Sequence, residues 1–208
     1  MKRILICFLF LFGGLNAYSQ VKTILLDVKD RIVTDSTKAI SYAVFGKVEG
    51  DSVYTFKKFD FDGVLLTSGT FKDDSLQVPH GNFVYYEWIT PDNNYQNLSY
   101  EINGRARFVA LSGKYLDGLR VGKWLSFYAD GKVKEMANYI MGALHGLYQL
   151  YDNDGKVQIS GAYVAGKKNG TWVMKGGKQE DEYAGDKLVS SLTGKKLRDK
   201  QAQRKNVN

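Results

Sequence analysis

The chain has a single cysteine, Cys7, in 208 residues, and only two prolines and two histidines. One cysteine cannot make an internal disulfide or a multi-cysteine metal site. Its position in an apolar run near the start removes it from any mature chain that loses that run. The remainder must then hold together by packing alone. Pro79 and Pro91 are the only prolines, and no Ser/Gly-rich linker occurs, so no domain boundary is marked between 40 and 184. P-loop, dinucleotide-binding, G-x-S-x-G and H-E-x-x-H patterns are all missing. These absences leave no cofactor, no metal and no catalytic residue to nominate, and the reading is of a protein that is not an enzyme.

One long apolar stretch is present. Lys2 and Arg3 precede Ile4–Leu15, and Ala17-Tyr18-Ser19 places small residues at alternate positions before Gln20. This predicts a secretory signal peptide over 1–19, cleaved after Ser19, because the run is short of the roughly 20 residues of a membrane span. The expected location is periplasmic or extracellular. The net charge is +7. Lys2, Arg3 and the basic excess of 185–208 account for all of it, so 20–184 is balanced. The charge belongs to a C-terminal tail and gives no case for nucleic acid.

The dominant feature is a repeat. Tyr115, Tyr139 and Tyr163 are 24 apart; so are Gly118, Gly142 and Gly166; so are Gly122, Gly146 and Gly170; so are Trp124, Tyr148 and Trp172. Asp130-Gly131 and Asp154-Gly155 keep the same step. Asp-Gly between apolar-rich runs signals a two-residue type I′ hairpin turn, and the unit is long enough for two strands. Alternation in "VKEMANY" puts Val133, Ala137 and Tyr139 on one face, with Glu135 breaking the pattern. Worn copies appear at "FDGVLLTSGTF", "HGNFVYY" and "KGGKQEDEYAGDKLV". "EWITPDNNYQNLSYEINGRARF" interrupts the period and reads as a longer hairpin with its loop at Pro91–Asn94. The expected organisation is an irregular segment and hairpin cap over 20–58, hairpin repeats over 59–184 with the best copies at 113–175, and a basic tail over 185–208, of which 195–205 could be a charged helix. The fold class is all-β: tandem β-hairpin repeats of about 24 residues in an elongated, twisted antiparallel sheet.

These residues resemble the MORN repeat in its bacterial variant, G-x-Y-x-x-G-x-x-x-G-x-W-x-x-Y-x-x-x-G. "GKYLDGLRVGKWLSFYADG" at 113–131 fits with one extra residue between Trp124 and Tyr128; "GAYVAGKKNGTWVMK" at 161–175 also fits. The middle copy has Asn138 for the first glycine and Tyr148 for the tryptophan. The resemblance implies a sheet of stacked hairpins serving as a binding or scaffolding surface, which the expected signal peptide would place in the cell envelope. Its partner would be another protein, or an envelope glycan or lipid. Many similar bacterial proteins are labelled antitoxins, so an antitoxin-like immunity protein is one alternative. An envelope small-ligand carrier or hydrolase with a pocket beside residues 21–60 is another.

Candidate residues follow the repeat. The ring column Tyr115, Trp124, Tyr139, Tyr148, Tyr163 and Trp172 is expected to be a stacked core, against the sharper alternative of an exposed platform. His80 and His145 occupy one repeat position before a glycine and read as turn residues. Asp60–Gly63 and Asp152–Gly155 lack the spacing of a calcium loop and read as turns.

Overall fold

The computed structural model describes residues 21–48, 50–95, 101–102 and 105–205. The expected signal peptide and Cys7 lie outside these residues. The strands are β1 (Lys22–Leu26), β2 (Ile32–Val33), β3 (Ser41–Gly46), β4 (Tyr54–Asp60), β5 (Leu65–Phe71), β6 (Gly81–Trp88), β7 (Glu101–Ile102) and β8 (Arg105–Leu116). They continue as β9 (Leu119–Phe127), β10 (Val133–Ile140), β11 (Ala143–Tyr151), β12 (Val157–Val164), β13 (Lys167–Met174), β14 (Gln179–Ala184) and β15 (Lys187–Thr193). One helix, α1 (Gly194–Lys205), closes the described chain.

The protein is all-β, as the repeat requires. One antiparallel sheet runs β15-β14-β13-β12-β11-β10-β9-β8-β6-β5-β4-β3-β1-β2, with β7 attached to β8. At the usual strand spacing this path is roughly 60 Å long. Each neighbour along most of it is also the neighbour in sequence, so hairpin is laid beside hairpin. The interruption at 89–104 does not disturb the path, because β6 pairs directly with β8 from Gly81↔Tyr115 to Trp88↔Arg107.

Two kinds of turn alternate, and they fall differently from the sequence expectation. The two-residue turns with positive φ at both central residues are Asp117-Gly118 (51° and 84°), Met141-Gly142 (47° and 83°), Ala165-Gly166 (49° and 83°) and Gly185-Asp186 (58° and 71°). At Asp-Gly only the glycine is left-handed: Gly131 has φ 83° and Gly155 φ 84°. Those turns are one residue longer. Gly131 N–H donates to Tyr128 O at 2.9 Å, and Tyr128 N–H to Lys132 O at 2.8 Å. Asp152 shows why aspartate suits this site: one carboxylate oxygen accepts from the amides of Asp154 (3.1 Å) and Lys156 (2.8 Å). Asp60 does the same for Asp62 and Val64. These carboxylates are occupied by turn amides.

The two-residue turns all lie on one rim and are tied together. Gly142 N–H donates to Arg120 O, Gly166 N–H to Leu144 O and Asp186 N–H to Lys168 O, at 2.9, 2.8 and 2.9 Å. The acceptors are themselves 24 residues apart, so each turn rests on the strand of the preceding unit. His145 belongs to this rim, with Nδ1 accepting from the Ala165 amide at 3.4 Å. His80 stands equivalently beside Asp117, its Nδ1 3.0 Å from the carboxylate.

Structure extends beyond the repeat at both ends. Residues 21–38, without period in the sequence, supply β1 and β2, and Leu26 packs with Ala43, Phe45 and Phe56 in a buried cluster. Residues 185–208, read as a tail, contain β15 and α1. Leu197 of the helix is buried, and the helix is anchored by Glu180 on β14, which pairs with Lys200 and, at 3.0 Å, with Arg204. No local pattern in 194–205 announces that contact.

Candidate functional site

A single-layer sheet cannot bury large side chains between layers, yet Trp124 is 2% and Trp172 1% exposed. Glycine on the neighbouring strand makes this possible. A Cβ added to Gly113 would lie 2.1 Å from the Trp124 ring, and one added to Gly161 would lie 2.1 Å from Trp172. Each indole therefore lies flat on bare backbone. Its Nε1 donates to a carbonyl of the same strand: Trp124 to Lys114 O and Trp172 to Ala162 O, both at 3.2 Å.

The other face of each indole carries a cation. The Arg120 guanidinium stands 4.3 Å from the Trp124 ring, and the Lys168 ammonium 4.5 Å from that of Trp172. Such stacking satisfies a charge while its stem shields the ring. Tyrosines close the sides edge-on. Tyr115 and Tyr139 lie 4.9 and 6.4 Å from Trp124; Tyr163 and Tyr183 lie 5.0 and 6.2 Å from Trp172. The result is two boxes of glycine floor, indole, cation lid and tyrosine walls.

The unit between them is built differently. Tyr148 replaces the indole and pairs across the ladder with Gly161 and with Ala137. Ala137, rather than Asn138, therefore holds the position of Gly113 and Gly161. Its methyl takes the space an indole would need, and the smaller Tyr148 ring fits. Burial, with the Glu135 carboxylate beside it, pushes the Tyr148 phenol up to about 12. Glu135 thus lies on the ring face after all. Asn138 faces away and donates to Leu147 O at 2.6 Å, bridging the bulge that Gly146 introduces.

The candidate ring positions thus fall into two groups, Tyr115–Trp124–Tyr139 and Tyr148–Tyr163–Trp172. The tryptophans form a core and the tyrosines are partly exposed. Gly118, Gly142 and Gly166 sit in the rim turns; Gly122, Gly146 and Gly170 have positive φ within strands. Sequence reasoning passed over Arg120, Lys168 and Tyr183. The first two were visible as cations 48 residues apart. Tyr183 was hidden because the connection before β14 is shorter than in the other units.

Toward β1 the row continues as Phe83, Phe71 and Phe56. Phe83 lies 5.0 Å from Tyr115 and 5.4 Å from Phe71, and Phe71 5.2 Å from Phe56. A Cβ on Gly69 would lie 2.4 Å from Phe83, the same floor again. Here side chains of β1, β2 and the loop 72–79 join those of β4, β5 and β6 around a pocket of about 550 Å³.

The family comparison covers part of this region. The MORN repeat variant matches residues 120–141 and 144–165. The chain carries MORN repeats. No match was found among curated proteins. The matched spans begin at Arg120 and Leu144, so each starts at the strand holding the next unit's turn. MORN repeats are generally protein- or membrane-binding modules. Among the described residues, no group of three histidine, cysteine or acidic side chains is placed to hold a metal ion.

Proposed function

We propose that the protein is an exported, non-enzymatic binding module of the cell envelope that engages a protein partner through the turn rim of its MORN sheet. The observation that carries this reading is the row of exposed apolar side chains at the two-residue turns. Leu116 and Leu119 flank Asp117-Gly118, Ile140 precedes Met141-Gly142, and Val164 precedes Ala165-Gly166. Ile140 is 56% and Met141 59% exposed. Leu119 reaches the next turn, within 3.3 Å of where a Gly142 Cβ would be. The apolar groups thus form a line at the pitch of the repeat.

Met141 has a left-handed backbone that costs a non-glycine residue on the order of 1 kcal/mol. A flexible thioether held at such a tip suits adaptable protein contact. The segment 1–19 supports export, and the tryptophan boxes support a rigid base for the rim. Affinity capture from envelope extract tests the proposal, comparing the protein with a Met141→Asp variant. A specific protein retained by the first and lost from the second supports it. Binding to anionic lipid vesicles in place of any protein would overturn it. A second reading, carriage of a small ligand, is favoured by the pocket beside β1.

A further inference from the structure

The pocket has an ordered floor. Three strands present side chains to it in register: Lys58 of β4 pairs with Thr67 of β5, which pairs with Tyr85 of β6. The adjoining row is Phe56 opposite Gly69, with Phe83 over that glycine. A line of three hydrogen-bond donors therefore runs beside a line of rings. Leu26, Ile24 and Leu76 complete its apolar lining. Leu76 is held there by a loop organised on Asp73, whose carboxylate accepts from the amides of Gln77 (2.9 Å) and Val78 (2.7 Å).

The charges are unequal in availability. Arg31 at the mouth is bound by Asp27, Nη2 to Oδ2 at 2.6 Å and Nε to Oδ2 at 2.8 Å. Lys58 is different. Its side chain is only 15% exposed, and its partner Asp30 is 62% exposed on a turn. Asp30 can return to water at little cost, whereas the Lys58 side chain is largely enclosed. A largely enclosed lysine in register with a threonine and a tyrosine, the latter's Oη 3.4 Å from that of Tyr115, suits one negative group; a phosphate dianion would call for further free cations. The volume lies within the usual range for small-ligand sites, about 300–1,000 Å³, and such sites combine apolar walls with few polar groups.

We propose that this pocket binds a small amphipathic monocarboxylate. Its apolar body lies over Phe56, Phe71 and Phe83, and its carboxylate displaces Asp30 from Lys58 and accepts from Tyr85 and Thr67. This goes beyond the rim interaction and is independent of it, so Met141→Asp should leave ligand binding unchanged.

Isothermal titration with decanoate below its micellar concentration tests it, with 1-decanol and decylammonium as matched probes. Saturable decanoate binding is expected. Decanol should bind about tenfold or more weakly, a difference of about 1.4 kcal/mol, and decylammonium more weakly still. Lys58→Met, which keeps the stem and removes the charge, should lose about tenfold in decanoate affinity. Asp30→Asn removes the competing carboxylate at a residue with φ 59°, which asparagine tolerates. It should tighten decanoate binding, a gain that a purely structural Lys58–Asp30 pair would not produce, and it decides the matter if Lys58→Met does not fold. Failure of decanoate to bind the folded protein, equal affinity for decanol, or weaker binding by Asp30→Asn would overturn the proposal.

Discussion

Single residues carry two opposed roles along this sheet: glycine as the floor for a ring, and non-glycine residues held in glycine's backbone conformation at the rim. Met141 is the clearest of the second kind, because the equivalent central position of the next turn is the smaller Ala165. Met141→Gly should therefore raise stability modestly in denaturant unfolding, because relief of roughly 1–2 kcal/mol of left-handed backbone strain outweighs the roughly 0.4–1 kcal/mol that glycine's greater freedom in the unfolded chain costs. The same variant should weaken partner capture. A loss of stability would mean that the Met141 side chain packs within the fold and is not held out for a partner. The ring positions were legible in the sequence through their 24-residue step, but their support was not. The 24-residue step by itself makes Ala137, and not Asn138, the equivalent of Gly113 and Gly161; what only the ladder shows is that this position is the floor beneath the ring of the next strand.

Among the elements, α1 is the least predictable from its own residues and the most dependent on one contact. Glu180 is buried on β14, and hydrogen bonding from Lys200, with further help from Arg204, holds its carboxyl below the ordinary value of 4.5. A depressed carboxyl favours the folded state above its unfolded value, and that contribution disappears as pH falls through the folded one. Glu180→Gln should thus cost about 1–3 kcal/mol at neutral pH. The difference in thermal midpoint between the two proteins should close in acid, below the ordinary carboxylate range. A gap that persists unchanged into strong acid would show that Glu180 acts by packing alone. The basic charge of 185–208 was plain from composition. Its use was not, because Glu180 lies outside that segment and a charge tally does not reveal a partner. The Asp-Gly hairpins were likewise located correctly, whereas their turn type was not, since a left-handed glycine serves both the two-residue and the three-residue loop.

For the whole molecule, the hairpin order follows from a repeat whose contacts are all between neighbours, which is why one period sufficed to foresee one continuous sheet. A pocket beside residues 21–60 stood as an alternative in the sequence, but its lining was not legible, because β1, β4, β6 and the loop 72–79 meet there without sharing a motif. What makes a sheet with no second layer stable is the claim on which the rest stands, namely that its core is the set of rings seated on bare backbone of the adjacent strand. The middle unit already contains the natural compensation, alanine with tyrosine in place of glycine with tryptophan. The decisive measurement is a double-mutant cycle in denaturant unfolding with Gly161→Ala, Trp172→Tyr and the pair together. Each single change should destabilise, Gly161→Ala by about 1–3 kcal/mol from overpacking. The double variant should be more stable than the sum of the two predicts by about 1 kcal/mol or more. Strict additivity would contradict the account, because it would mean that ring and glycine do not share the space on which the core depends.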